Sequence, residues 1–121
     1  MAHILLIDDD EAVRSMLRRT LERTGHTVTE AAEGRAGLRA LDAAAIDLVI
    51  TDILMPDMDG IETITALHRS RPQLKVIAMS GGGRLKPEGY LQVATVLGAN
   101  RVLRKPFDPG ELIAAIEESL K

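Results

Sequence analysis

Five short apolar runs, each followed by a stretch with helical spacing, recur along the 121 residues and leave few folds open. Ile4-Leu5-Leu6-Ile7 and Leu48-Val49-Ile50-Thr51 are unbroken, as strands buried on both faces of a parallel sheet require. Thr27-Val28-Thr29, Val76-Ile77-Ala78-Met79 and Arg101-Val102-Leu103 supply three further strand candidates. Between them, Val13, Met16, Leu17 and Leu21 lie on one face of a first helix that ends near Gly25. Ala36, Ala40, Leu41 and Ala44 mark a second, alanine-rich helix, and Ile61, Ile64 and Leu67 a third that stops by Pro72. Pro87, Tyr90, Leu91, Ala94 and Leu97 outline a fourth helix over 87–97. Leu112, Ile113, Ile116 and Leu120 outline a fifth, with Asp108 as its N-cap and Pro109 behind it.

Strand and helix alternate five times with no spacer, repeat or low-complexity segment. That pattern predicts an α/β fold, a three-layer (βα)5 sandwich with a five-stranded parallel sheet between five helices. Right-handed crossovers restrict its topology, and the commonest solution is the flavodoxin-like strand order 2-1-3-4-5. At roughly 150 residues per domain, residues 1–121 read as a single domain. The last helix runs to Lys121, so no linker or output domain is expected within the chain.

Composition excludes several function classes. No cysteine is present, which removes disulfide frameworks and thiolate chemistry. One Tyr, one Phe and no Trp leave no stacking platform for single-stranded nucleic acid. A formal net charge of -3 argues against a phosphate-backbone partner, so no direct nucleic-acid contact is expected. Uncharged stretches fall short of the about 18 residues a membrane span needs. Met1 leads straight into strand-like HILLI without a basic n-region or cleavage site, so a cytoplasmic location is expected.

In such sheets ligands bind at the carboxyl ends of the strands, beside the point where strand order reverses. The polar residues that terminate the apolar runs are therefore the candidates. Asp8-Asp9-Asp10 ends the first run, Asp52 the third and Ser80 the fourth, and Lys105-Pro106 follows the fifth. Taken singly these residues have ordinary readings. Asp10 suits a helix N-cap, Asp52 a loop carboxylate, and Lys105 a solvated surface lysine. Taken together they do not, because clustered carboxylates repel unless a cation sits among them. A few hard oxygen ligands completed by water describe a Mg²⁺ site. A carboxylate held there can attack phosphorus and form an acyl phosphate. A transferring phosphoryl group requires the metal, an ammonium and hydroxyl or amide donors around it. Asp8, Asp9, Asp52, Ser80 and Lys105 supply these groups.

Five motifs in this order and spacing give the chain a close resemblance to the receiver domain of two-component response regulators. They are ILLIDD at 4–9, DLVITDILMPDMDG at 47–60, VIAMS at 76–80, LGAN at 97–100 and RKPF at 104–107, covering the whole chain. The resemblance, to the stand-alone chemotaxis type among others, implies that Asp52 accepts a phosphoryl group. It implies that Asp8 and Asp9 bind Mg²⁺ (Mn²⁺ being a possible substitute) with Asp52 and the backbone carbonyl of Leu54. Ser80 and Lys105 would contact the phosphoryl group. The implied partners are a sensor histidine kinase or histidine phosphotransfer protein, and a downstream target on the face of helix 4, strand 5 and helix 5. Such a chain is a signalling switch that takes part in its own phosphorylation rather than a metabolic enzyme.

One position departs from the family pattern. Three residues before Lys105, where relatives carry an aromatic ring that swings inward, stands Val102, whose β-branched side chain is small and stiff. The run Gly81-Gly82-Gly83 is then the expected carrier of conformational change. The alternative function is a phosphorylation-independent interaction module that retains the receiver fold. Other motifs carry less. His3, His26 and His68 are too scattered for a metal site, and Asp57-Met58-Asp59-Gly60 lacks the later ligands of a calcium loop. Arg14, Arg18, Arg19 and Arg23 cluster on the first helix, either as a solvated basic face beside Glu22 or as a docking surface.

Overall fold

The computed structural model describes residues 2–53, 60–80, 98–105 and 107–121. In chain order the elements are β1 (His3–Ile7), α1 (Glu11–Arg23), β2 (Thr27–Ala31), α2 (Gly34–Ala43), β3 (Leu48–Asp52), α3 (Gly60–Ser70), β4 (Lys75–Ser80), β5 (Arg101–Arg104) and α4 (Pro109–Ser119). All neighbouring strands pair in parallel, in the order β2-β1-β3-β4-β5. The flavodoxin-like sheet expected from the periodicity is thus present. Four helices lie among the described residues; α4 corresponds to the fifth helix of the sequence reading, and the helix expected over 87–97 falls outside the described residues. So do Leu54 and the Gly81-Gly82-Gly83 run. No described helix is long and apolar enough to cross a membrane.

Strand alternation divides the interior into two cores. Ile4 and Leu6 of β1 pack with Leu17 and Leu21 of α1 and with Leu112 and Ile116 of α4. Leu5 and Ile7 face the other way, toward Leu41 of α2 and Ile64 and Leu67 of α3. All four β1 side chains are fully buried, each worth about 1.5–3 kcal/mol of transfer free energy. Unbroken apolar runs are what this two-sided burial demands. Val102 on β5 is half-buried against the α2–α3 core, beside Ala78 in register.

Helix ends follow their local chemistry. Asp10 Oδ1 accepts from the amides of Ala12 at 2.9 Å and Val13 at 3.2 Å, which caps α1. After Thr24 the chain reverses at Gly25, whose φ of 91° lies in the left-handed region that glycine enters without strain. Asp108 caps α4 through Glu111 N at 2.8 Å, with Pro109 next, as expected. Two apolar assignments differ from expectation. Met16 is 58% exposed and Leu120, the C-cap of α4, 39% exposed, so neither belongs to the core. In α2, Ala36, Ala40, Leu41 and Ala44 pack in or against the core as expected, and Gly37 also comes close to the sheet. A Cβ on Gly37 would stand 2.9 Å from Ile7 Cγ1 and nearer still to its Cδ1.

Gly37→Ala therefore sets helix propensity against packing. Alanine gains up to about 1 kcal/mol in a helix interior, but overpacking a core costs about 1–3 kcal/mol. The expected outcome is net destabilisation, read as a lower midpoint in denaturant unfolding at unchanged slope. A higher midpoint would show that α2 and β1 are not in this contact.

Candidate functional site: an acidic pocket at the strand ends

Register places the pocket. Ile7 of β1 lies opposite Thr51 of β3, so Asp8 and Asp52 follow side by side where the two central strands end. Asp8 is wholly buried and Asp52 nearly so, while Asp9 is exposed. One carboxylate oxygen from each lies within 4.8 Å of the others. Two like unit charges about 4 Å apart repel by roughly 4 kcal/mol at an effective dielectric constant of about 20. A trio of this kind, with two of its members buried, requires positive charge close by.

Lys105, the residue after β5, supplies part of it. Its Nζ donates to Asp8 Oδ2 at 3.1 Å and lies 3.7 Å from Asp52 Oδ2. The Asp8 Oδ1 atom accepts from Asp10 N at 2.9 Å. The Asp8 backbone is tied too, its amide donating to Ala31 O at 3.2 Å and its carbonyl accepting from Arg14 Nη1 at 2.7 Å. Ile53 N donates to Met79 O at 2.9 Å, which extends the β3–β4 ladder past Asp52. Of the residues singled out from sequence, Asp8, Asp9, Asp52 and Lys105 come together here. Ser80 ends β4 opposite Arg104 in register, beside the residue that precedes Lys105. Leu54 lies outside the described residues.

A second charged group flanks the pocket and was not anticipated. Arg14 Nε bonds Glu30 Oε1 at 3.2 Å, Arg18 Nη1 bonds Glu30 Oε2 at 2.7 Å, and Arg18 Nε reaches Glu22 Oε2 at 3.3 Å. Glu30 faces α1 because it shares the β2 face of Val28, which packs in the α1–α4 core. The Arg18 hydrogen bond first, then that of Arg14, holds the Glu30 carboxyl below its usual range despite partial burial. Glu30 in turn, then Glu22, holds the Arg18 guanidinium more firmly in its charged form. The sequence signal was a lone acidic residue within a β-branched strand.

The pocket's donors are hard oxygens in small number, open on the Asp9 side. That suits a divalent cation of the Mg²⁺ class, which keeps several waters and takes one or two carboxylates. Formal charge agrees. Three carboxylates and one ammonium leave two negative charges, which one divalent ion balances.

Comparison with known proteins places the chain among relatives along its whole length. A family profile described as the response regulator receiver domain matches residues 4–117. The chain is 37% identical over 119 residues to the DNA-binding transcriptional regulator NtrC of Azospirillum brasilense, covering 98% of this chain and 24% of that protein. It is 36% identical over 121 residues to the transcriptional regulatory protein CpxR of Escherichia coli K12, covering 100% of this chain and 50% of that one. The chain thus spans between a quarter and a half of these relatives' length. Among solved structures, it is similar to a CheY-like response regulator receiver domain protein from Methanospirillum hungatei JF-1. That match has a TM-score of 0.89 at 32% identity, over 99% of this chain and 94% of that one. The chemotaxis protein CheY4 of Vibrio cholerae is matched at a TM-score of 0.89 and 31% identity, over 99% of both chains.

Two outcomes are expected from the site's electrostatics. Mg²⁺ should raise the unfolding free energy, by about 2.7 kcal/mol when present at 100 times its dissociation constant, and the melting midpoint with it. Asp52→Asn should reduce that gain, and a monovalent salt of equal ionic strength should not reproduce it. The Glu30 network should show an acid-side dependence. Because its folded pKa is lowered, its stabilisation is complete above the ordinary glutamate value near 4.5 and fades as pH falls through the lowered one. The stability gap between wild type and Glu30→Gln, followed by denaturant melts across pH, should narrow below about pH 4.5.

Proposed function

The chain belongs to the response regulator receiver domain family, and we propose that it acts there as a Mg²⁺-dependent phosphoacceptor with Asp52 as the accepting residue. The observation that carries this reading is the buried Asp8–Asp52 pair, completed by exposed Asp9 and bridged by Lys105. Residues 1–121 act as one receiver unit. The donor is a phosphohistidine, carried by a sensor histidine kinase or a histidine phosphotransfer protein.

The chemistry assigns each residue a task. An oxygen of Asp52 attacks phosphorus, the P–O bond forms as the P–N bond to the donor breaks, and the histidine nitrogen leaves with the electron pair. Burial keeps Asp52 poorly hydrated, and its position as the last residue of β3 fixes the line of attack. Asp8 and Asp9, with Asp52 and the Leu54 carbonyl, would hold the metal. When bound, Mg²⁺ offsets the charge of the carboxylates and of the phosphoryl oxygens they face. Lys105 gives up part of its attachment to Asp8 to pair with the phosphoryl group, and Ser80 donates to it.

Output follows from what changes partners. Phosphorylation redirects the Lys105 ammonium, and β5 is the short edge strand that precedes it. The signal passes as a population shift across the face of β5, α4 and the segment preceding β5, where a downstream protein docks. Val102 packs into the core with a stiff side chain, so this shift needs no ring rotation.

Incubation with Mg²⁺ and a small acyl phosphate, followed by intact-mass measurement, tests the reading. One phosphoryl adduct is expected. Chelation of Mg²⁺ and Asp52→Ala should each abolish it. An adduct that persists in Asp52→Ala rules out Asp52 as the acceptor, and none with a competent donor rules the assignment out in favour of a phosphorylation-independent interaction module.

A further inference from the structure

Arg14 touches the pocket without belonging to its chemistry. Its side chain is 15% exposed and lies between α1 and the β2 edge. Nη1 donates to the Asp8 carbonyl at 2.7 Å while Nε donates to Glu30 Oε1 at 3.2 Å. A guanidinium anchored on a carboxylate is a planar, pre-organised fork, so its remaining donor fixes a direction as well as a distance. The carbonyl it holds belongs to the rigid peptide unit that joins Asp8 to Asp9. Asp8 has further restraints through Asp10 N and Lys105. The exposed Asp9 carboxylate has no hydrogen bond or ion pair among the described residues, so its placement depends on its backbone.

We propose that Arg14 is a positioning residue for divalent-cation binding. It holds the Asp8–Asp9 peptide so that the Asp9 carboxylate is presented to the ion, and Glu30 is the anchor that aims it. The inference rests on the reading of Asp8, Asp9 and Asp52 as a Mg²⁺ site. Two physical effects at Arg14 have opposite signs. A guanidinium near the pocket repels a divalent cation, so on charge alone its removal tightens Mg²⁺ binding. On positioning, its removal loosens binding, because groups behind a metal's ligands that fix their orientation typically matter by 10- to 100-fold in affinity.

The test is a calorimetric titration of Mg²⁺ into metal-free wild-type, Arg14→Met and Arg14→Lys chains at one ionic strength, with thermal melts run in parallel. Arg14→Met is expected to bind Mg²⁺ on the order of tenfold more weakly while still melting cooperatively. Arg14→Lys keeps the charge beside Glu30 but lacks the fork, and is expected to lose affinity as well, to a smaller extent. It also carries the test should Arg14→Met not fold. Unchanged or tighter binding by a folded variant overturns the positioning role, as does a lowered melting temperature with no change in Mg²⁺ affinity. Absence of Mg²⁺ binding by the wild-type chain is a different failure. It overturns the metal-site reading itself, and the inference with it.

Discussion

Three carboxylates are held within 4.8 Å of one another at the ends of two fully buried strands, and their repulsion sets the terms for the rest of the molecule. The sheet makes the arrangement unavoidable. β1 and β3 are adjacent, and a register that pairs Ile7 with Thr51 leaves Asp8 and Asp52 nowhere else to go. Opposing this are the apolar contacts of β1 and β3, which keep the strands seated whatever charge their ends carry. Lys105 offsets part of the repulsion, and the formal charge that remains is that of a divalent cation.

Around this centre the charge is layered. Glu30, with Glu22, neutralises Arg14 and Arg18 on the α1–β2 flank, so two of the four arginines on the first helix are engaged within the fold. A cluster that reads from sequence as a uniform basic face is therefore two structures. Its inner members share Glu30, Arg14 also reaching the pocket through the Asp8 carbonyl, and Arg19 stays in solvent.

The strands and most of the site were legible because both depend on a local rule. Two-sided burial writes itself as an unbroken apolar run, and a parallel sheet brings the residues that end such runs to one rim. Asp8, Asp9, Asp52 and Lys105 could be gathered from that rule before any contact was known. What was not legible depends on which surfaces meet. Helical spacing indicated Ala36 and Ala40 as the inner face of α2, where they do pack, but did not single out Gly37, whose distance to Ile7 is set by the sheet. Met16 fits the apolar spacing of α1 but is left largely exposed. The Arg14–Glu30 pair spans sixteen positions and exists only because β2 lies beside β1.

β1 and β5 differ in how firmly each is held. The first is clamped by strands on both edges and by helices on both faces, so it cannot slip by one residue without exchanging its two cores. The second has four residues and, among the described strands, pairs with β4 alone. Asp8 and Asp52 thus stand at the ends of strands paired on both edges, and their ammonium partner follows a strand at the sheet's edge. When charge in the pocket changes, these two buried carboxylates have less room to relax than the partly exposed cation and the margin that carries it. Unequal stiffness, built in before any partner arrives, gives the response its direction.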